Sequence, residues 1–261
     1  MIYEHNLNPV AVEFFSLQIY WYSLAYVVGF IFCIYYSKYL VKKKLLNLTT
    51  STVDDVIAWL IIAVLIGGRL GYVVFYNLDF YLENPLEIIK IWQGGMSFHG
   101  ALLGVILTII FYSKVKRIKF NELANLVAYS SPIGIFLGRI ANFINGELIG
   151  KVTSVPWGVI FPLVDMMPRH PSQLYEAALE GVVLFLVLNT LILKMRYKMG
   201  TCSYLFLIFY GVFRIISELF REVDTQVGYL FNVLTMGTIL SFFMVLSGFV
   251  ILIILKKKDE I

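Results

Sequence analysis

The stretch VIAWLIIAVLIGGRLGYVVFY, from Val56 to Tyr76, carries a single charged side chain, that of Arg69. A helix needs about 20 apolar residues to cross the hydrocarbon core of a bilayer, so this stretch is long enough to span a membrane. Hydrophobic residues make up 59% of the 261 residues and charged residues 15%, and the mean hydropathy is +0.81. This composition supplies too few polar side chains to cover a soluble fold. The sequence therefore predicts a membrane protein.

Apolar stretches of similar length recur from one end of the chain to the other, which favours helical spans over barrel strands of alternating polarity. We predict an all-α polytopic membrane protein with about seven transmembrane helices, forming a single integral-membrane domain over residues 1–261. Small external elements are expected near residues 77–95 and 139–172. The predicted spans lie near Leu17–Leu40, Val56–Tyr76, Met96–Tyr112, Leu123–Leu137, Leu174–Leu193, Tyr204–Leu219 and Leu230–Leu255.

Basic residues gather in every second loop between the predicted spans. By the positive-inside rule such loops are cytoplasmic, so the N-terminus is expected outside and the C-terminus in the cytoplasm. As topology anchors and contacts to anionic headgroups, these residues account for most of the formal charge of +4, and no nucleic-acid partner is expected. The four groups are Lys42–Lys44; Lys114, Lys116, Arg117 and Lys119; Lys194, Arg196 and Lys198; and Lys256–Lys258.

The cysteine and histidine spacings do not indicate a disulfide, a metal site or a nucleophile. Cys33 and Cys202 lie in apolar segments, where packing is the expected role. The three histidines lack metal-ligand spacing, and the chain contains no G-x-S-x-G or H-E-x-x-H motif. We therefore expect neither a bound metal nor another cofactor.

Six ionisable residues fall inside or beside the predicted spans, all in the outer half of the membrane. Charges at this depth cost about 3 kcal/mol or more each, so they pair or line a wet cavity. One interpretation is that arginine–glutamate pairs lock helices together, and for Arg69 this stays as open as a functional role. For the set as a whole, the accompanying histidine, glycines and asparagines favour a binding site. The six residues are Arg69, His99, Arg139, Glu147, Arg214 and Glu218.

Two pairs of charges are spaced to share a helix face. Arg214 and Glu218 are four residues apart, so they are expected to pair while one edge of the guanidinium stays free. Glu176 and Glu180 have the same spacing but like charge. They therefore need partners from elsewhere in the chain.

The segment GRIANFINGELIG, from Gly138 to Gly150, places polar residues where a lipid-facing helix would not. Its two asparagines, and the Asn145–Gly146 turn signal, predict irregular backbone that lines a polar cavity. Exposed N–H groups and an arginine fork would suit phosphate there. For Gly100 and Gly104, a G-x-x-x-G pair, tight helix packing is the expected role instead.

GRIANFINGELIG resembles the signature segment of the bacterial prolipoprotein diacylglyceryl transferases. The segments WYSLAYVVGF, GGRLGYVVFY, GGMSFHGALLG, RHPSQLYEAALEG and YGVFRIISELFRE resemble other blocks of that family in the family's order, over nearly the whole chain. Ala141 stands where many members are expected to have glycine. The stretch between Gly150 and His170 is short where members can carry a longer external insertion, so no role of such an insertion is carried over.

The resemblance implies an enzyme that acts on a lipid and a secreted precursor. It would transfer the diacylglyceryl group of phosphatidylglycerol to the thiol of the lipobox cysteine of prolipoproteins, forming a thioether and releasing glycerol phosphate. The partners implied are phosphatidylglycerol, signal-peptide-bearing prolipoproteins and membrane lipid. The location implied is the bacterial cytoplasmic (inner) membrane, with a multi-pass chain and an active site toward the outer half. The nucleophile then belongs to the substrate.

Within this resemblance, Arg139 and Arg214 are expected to hold the lipid headgroup and to offset charge on the leaving phosphate. His99 is a candidate base for the thiol. In the alternative, His99 only hydrogen-bonds the headgroup, and the arginines lower the pKa of the thiol enough for water to take the proton. Glu147 and Glu218 are expected to orient the arginines.

The remaining expected site residues are Tyr22, Asn142 and Gly150, which with Arg139 would bind phosphatidylglycerol, and Arg69 in a supporting role. An interfacial aromatic anchor is the alternative for Tyr22. His170 is expected at a helix start, without a catalytic role.

Two other functional classes use similar charges. A transporter or channel for an anionic solute would need an arginine site at mid-depth, but internal repeats are not evident and the charges gather toward one face. A non-catalytic scaffold would need only the ion pairs.

Overall fold

Helices dominate the computed structural model, which describes residues 2–15, 17–91, 94–193, 202–223 and 234–259. Six described helices are long and apolar enough to cross a membrane, and they confirm the all-α polytopic class. They are Trp21–Lys42, Thr50–Tyr76, His99–Lys116, Phe120–Asn145, Ser172–Leu193 and Met236–Ile254.

The helices are α1 (Trp21–Lys42), α2 (Thr50–Tyr76), α3 (Leu78–Glu83), α4 (Phe98–Lys116), α5 (Phe120–Asn145), α6 (Ser172–Glu176), α7 (Leu184–Leu193), α8 (Cys202–Glu218) and α9 (Met236–Asp259). A 3-10 helix, Pro85–Ile89, follows α3, and a π-helix, Ala177–Val183, joins α6 to α7. The strands are β1 (Tyr3–Glu4), β2 (Val10–Phe14), β3 (Leu17–Tyr20), β4 (Val159–Ile160) and β5 (Pro168–Arg169).

Helix α8 has 17 residues and corresponds to the sixth predicted span. The count of seven spans and the outside position of the N-terminus stay predictions. The last predicted span starts at Met236 in the structure, and residues 230–233 lie outside the described residues. The basic group Lys194, Arg196 and Lys198 also lies outside them.

The irregular backbone expected from Gly138 is wrong for the first eight residues of that segment, because α5 continues through Asn145. The helix ends in a Schellman motif, in which the Gly146 N–H donates to the Phe143 carbonyl (3.0 Å) and the Glu147 N–H to the Asn142 carbonyl (3.1 Å). Gly146 takes the left-handed conformation (φ 68°) that this motif requires. The Asn145–Gly146 turn signal therefore marks the end of the helix, and Asn142 lies within it.

The chain divides into two compact units, one formed by residues 1–33 and 127–261 and the other by residues 34–126. The single integral-membrane domain stays a prediction. In the 34–126 unit, α2 and α4 pack backbone against backbone. A Cβ on Gly67 would lie 2.5 Å from the Gly100 carbonyl oxygen, and one on Gly104 would lie 2.6 Å from that of Ala63. The predicted close-packing role of Gly100 and Gly104 is therefore confirmed.

The other unit holds the small strands, the first part of α1, the part of α5 from Val127 onward, and helices α6 to α9. Strand β1 pairs in parallel with β4, β4 pairs antiparallel with β5, and β2 and β3 form a separate antiparallel hairpin directly before α1. Cys33 and Cys202 are free thiols, as expected. Cys202 is fully buried, and Cys33 Sγ lies 3.4 Å from the Ser130 carbonyl.

Candidate active site

A π-helical turn places two glutamates against α5. Gly181 lies in this turn, and a Cβ on it would come within 2.8 Å of the Phe136 Cα, so only glycine allows the two backbones to approach so closely. Glu176 ends α6 and Glu180 lies within the π-helix, and both are fully buried. π-helical turns are rare and concentrate at functional sites, which makes this turn a candidate.

Arg139 of α5 spans both glutamates. Its Nη1 lies 2.9 Å from Glu176 Oε2 and its Nη2 lies 3.0 Å from Glu180 Oε2, with 17% of its side chain exposed. The planar guanidinium therefore joins two carboxylates that would otherwise repel each other. This confirms that the two glutamates take partners from elsewhere in the chain.

Arg214 of α8 approaches the same glutamates from another helix. Its Nη1 lies 2.6 Å from Glu176 Oε1 and 3.4 Å from Glu180 Oε1, and its Nη2 lies 2.6 Å from Glu218 Oε2. The predicted Arg214–Glu218 pair is confirmed. Both terminal nitrogens face carboxylates, but a guanidinium carries five N–H groups, so the expected free edge stays a prediction.

Arg221 completes the group, with Nη1 3.2 Å from Glu176 Oε1. We call these six residues, three arginines and three glutamates whose formal charges balance, the arginine–carboxylate cluster: Arg139, Glu176, Glu180, Arg214, Glu218 and Arg221. Sequence reasoning left Arg221 out, since it follows the end of α8 and only the tertiary fold brings it in. For the other members, the signal in the sequence is the pair of like charges, Glu176 and Glu180, in an apolar stretch.

Asn142 and Glu147 form a second polar group, at the end of α5. Asn142 Nδ2 donates to Glu147 Oε1 (2.7 Å), as does Asn145 Nδ2 (3.3 Å). Gln173 Nε2 donates to the Glu147 backbone carbonyl (2.6 Å). The Schellman turn brings the Glu147 carboxylate back to Asn142, and the expectation that Glu147 orients an arginine stays a prediction. Glu218 does contact Arg214, as expected.

Gly150 joins this region to Arg221 through an antiparallel bridge. The Lys151 N–H donates to the Phe220 carbonyl (2.9 Å), and the Glu222 N–H to the Ile149 carbonyl (3.0 Å). A Cβ on Gly150 would lie 2.8 Å from the Phe220 carbonyl oxygen, closer than side chains approach backbone. Glycine is thus needed for the strand-like contact that holds Arg221 beside Glu176.

His170 lies beside this bridge, and α6 begins two residues later, as expected. Its Nδ1 lies 3.2 Å from the Tyr175 hydroxyl, and its ring packs on the Phe220 ring at 5.2 Å. Burial, and secondarily the charge of Lys151, lower the pKa of His170. The imidazole is therefore biased toward its neutral form.

Tyr22 lies in the first turn of α1, half-buried, with its ring 5.2 Å from that of Tyr26.

His99 and Arg69 belong to the 34–126 unit, where His99 is exposed in the first turn of α4. Ser97 caps this helix by accepting a hydrogen bond from the Gly100 N–H (3.3 Å).

Arg69 is buried and bonded to backbone carbonyls. Its Nε donates to Ile88 (2.8 Å), its Nη2 to Glu87 (2.7 Å), and its Nη1 to Gly94 and to Gly95 (3.2 Å). It therefore holds the segment that leads into α4. This differs from both roles considered from the sequence, which were an ion pair with a glutamate and a contact with a ligand.

This arrangement suits chemistry on a phosphate ester. Two planar arginine forks on a shared carboxylate platform can bind an anion bidentately and stabilise charge that develops on a leaving phosphate oxygen. Among the described residues, no group of three or more histidine, cysteine or acidic side chains is arranged to hold a metal ion.

Comparisons with known proteins agree with this chemistry. The family model described as prolipoprotein diacylglyceryl transferase matches residues 9–254. The chain is 47% identical to a Geobacter sulfurreducens protein over 97% of each, and 50% identical to one from Rhodospirillum centenum over 95% of this chain and 91% of that protein. A relative from Ehrlichia canis is 46% identical over 97% and 98% of the two chains. All three are named phosphatidylglycerol–prolipoprotein diacylglyceryl transferase. The chain belongs to the prolipoprotein diacylglyceryl transferase family.

Proposed function

We propose that this chain transfers the diacylglyceryl group of phosphatidylglycerol to the thiol of a prolipoprotein cysteine, releasing glycerol phosphate. The observation that carries this proposal is the buried pair of arginine forks, Arg139 and Arg214, held on Glu176 and Glu180. The reaction takes place in the bacterial cytoplasmic membrane, with the active site in its outer half.

The reaction is a displacement at carbon. The precursor's thiol loses its proton, the sulfur attacks the glycerol carbon that bears the phosphate oxygen, a C–S bond forms and the C–O bond breaks. Negative charge then grows on the departing oxygen of the phosphate monoester. Groups that bind this charge more strongly in the transition state than in the bound lipid raise the rate.

The arginine–carboxylate cluster fits that requirement. Arg139 and Arg214 expose 17% and 12% of their side chains, so they act in a setting where water screens charge poorly. Because their positions are fixed by carboxylates, little reorganisation is needed when charge develops on the phosphate. Glu218 holds Arg214, and itself accepts a hydrogen bond from the Thr235 hydroxyl (2.8 Å).

The other expected site residues have further roles in this proposal. Asn142, buried and bonded to Glu147, lies on the α5 turn that follows Arg139, and we place the glycerol hydroxyls of the headgroup beside this turn. Gly150 secures Arg221, and Tyr22 contacts the lipid from α1. His99 accepts the thiol proton, and Arg69 supports it by holding the segment before α4.

The test is to incubate the purified chain with phosphatidylglycerol and a lipobox peptide and to measure the mass of the peptide. We expect the peptide to gain the mass of one diacylglyceryl group and glycerol phosphate to appear in equal amount. A peptide of unchanged mass would refute the transferase. Transport of glycerol phosphate across the membrane of proteoliposomes that contain the same purified chain would favour the anion transporter instead.

A further inference from the structure

Short extended segments form one small sheet beside the arginine–carboxylate cluster. Strand β1 pairs with β4, and β4 pairs with β5. Arg169 of β5 forms an antiparallel bridge with Val152. Gly150, two residues before Val152, forms the next bridge, with Arg221. The segment that carries Arg221 is therefore joined to β5 through the segment around Gly150.

The Arg169 side chain reaches from β5 to both sides of the Gly150–Arg221 bridge. Its Nη1 donates to the Gly150 carbonyl (3.0 Å) and to Glu222 Oε2 (2.9 Å). Glu222 directly follows Arg221 in the chain. One nitrogen of Arg169 therefore ties together the two segments whose pairing sets the position of Arg221.

Asp165 fixes the direction in which the Arg169 guanidinium points. Arg169 Nε donates to Asp165 Oδ1 (3.2 Å) and Oδ2 (3.1 Å), and Nη2 donates to Oδ2 (2.6 Å). A bidentate pair of this kind fixes the plane of a guanidinium. Since only 12% of the Arg169 side chain is exposed, Nη1 is held toward Gly150 and Glu222.

Arg221 connects this sheet to the arginine–carboxylate cluster. Its Nη1 donates to Glu176 Oε1 (3.2 Å), and Arg214 Nη1 donates to the same oxygen (2.6 Å). The other oxygen of Glu176 lies 2.9 Å from Arg139 Nη1. A displaced Arg221 would leave the fully buried Glu176 with less positive charge around it, and would thereby disturb the arginines that share this glutamate.

We propose that Arg169 is a positioning residue for the transfer reaction, and that it acts by holding Arg221 against Glu176. Arg169 itself contacts neither the lipid nor the thiol in this role. The proposal rests on the proposed function, and it adds a residue that lies outside the cluster. An ion pair that only supports the fold would change the amount of folded protein but not the rate per folded molecule.

Arg169→Gln removes the guanidinium that holds the bridge. We expect kcat per folded molecule to fall about tenfold, because a small displacement of groups around a reacting centre lowers the rate strongly. The KM for phosphatidylglycerol should change by less than about twofold, since the cluster acts on charge that develops in the transition state.

The two carboxylates that contact Arg169 provide matched variants. Glu222→Gln and Asp165→Asn each remove one negative charge from the same guanidinium, but only Glu222 lies beside Arg221. Glu222→Gln should lower kcat about threefold, because the bond from Arg169 to the Gly150 carbonyl remains. Asp165→Asn should stay within about 1.5-fold of the parent, as expected for an exposed ion pair away from the bridge.

A double variant tests whether Arg169 acts through Arg221. If it does, Arg169→Gln should change the transfer rate of a chain that already carries Arg221→Gln by less than about twofold, although it costs the parent about tenfold. If Arg169 and Arg221 act independently, the two losses multiply in the double variant.

Each full-length variant is purified into nanodiscs that contain phosphatidylglycerol, folded protein is quantified by size exclusion, and kcat and KM are measured from the mass of a lipobox peptide. A parent chain without transfer activity would refute the proposed function. If the parent transfers lipid, a parental kcat in Arg169→Gln or in Arg221→Gln, or losses that multiply in the double variant, would overturn the role of Arg169. Should Arg169→Gln fail to fold, equal rates in Glu222→Gln and Asp165→Asn would overturn it instead.

Discussion

Replacing Arg139 by lysine keeps a positive charge in the cluster but removes the planar fork. Arg139 faces Glu176 with one terminal nitrogen and Glu180 with the other. A lysine ammonium is a compact point charge on a flexible stem, so it cannot reproduce two parallel hydrogen bonds to a phosphate. Arg139→Lys therefore separates phosphate recognition from charge balance.

The size of the effect follows from the burial of the cluster. Arg139→Ala would leave two fully buried carboxylates short of a partner, and breaking a buried ion pair costs about 3–5 kcal/mol of folding stability. Arg139→Lys avoids most of that loss because the charge stays. A hydrogen bond to a charged group contributes about 1.5–3 kcal/mol, which is about ten- to a hundredfold in rate. We expect kcat/KM to fall within that range.

The assay compares lipid transfer per folded molecule. Each variant is quantified in membranes by blotting, purified, checked by size exclusion, and assayed for transfer to a lipobox peptide. Arg117→Lys is the matched control, because Arg117 is an exposed residue at the end of α4. It should transfer lipid at close to the parental rate. If Arg139→Lys folds normally and also transfers at the parental rate, bidentate phosphate binding by Arg139 is wrong.

Four further outcomes follow from the described contacts. Asn142→Ala removes the 2.7 Å bond to Glu147, and since a typical hydrogen bond contributes about 0.5–1.5 kcal/mol, peptide transfer should fall about two- to tenfold. Gly150→Ala places a Cβ against the carbonyl oxygens of His170 and Phe220, so thermal unfolding should show about 1–3 kcal/mol of destabilisation. The folded pKa of His170 lies below its unfolded value, so the stability that it contributes is present above about pH 6.5 and is lost as the pH falls. The thermal unfolding midpoint of the parent should therefore fall more than that of His170→Gln between pH 7 and pH 5. Transfer should persist in EDTA, because the three histidines lack ligand spacing; a loss restored by a divalent ion would contradict this.

The membrane-spanning helices follow from the sequence because hydropathy alone requires them. In lipid, an apolar run of about 20 residues can form all of its backbone hydrogen bonds within itself only as a helix. The prediction of irregular backbone from Gly138 is wrong at the end of α5, because a span tolerates polar side chains when other parts of the chain supply their ion-pair or hydrogen-bond partners. Arg139 finds Glu176 and Glu180, and Asn142 finds Glu147, so the helix continues to Asn145.

The sequence predicts only part of the site. Because like charges four residues apart repel, Glu176 and Glu180 indicate that positively charged partners are needed, but no local pattern identifies the arginines that supply them. The π-helical turn depends on the contact between Gly181 and α5, and Arg221 depends on the bridge at Gly150. Both are tertiary contacts between segments far apart in sequence, which no local pattern encodes.

The balance of charges in the cluster reconciles two demands on this chain. Three unpaired arginines would make insertion into lipid costly, and the three glutamates remove that cost by pairing within the protein. Under the proposed function, the same pairing would weaken the binding of the lipid phosphate in the ground state. For an enzyme whose lipid substrate belongs to the surrounding bilayer, tight ground-state binding would not raise the rate, and it would slow release of the product. In the proposed function, arginines that are held in place yet already partnered favour the transition state over the bound lipid, because the phosphate carries more negative charge in the transition state.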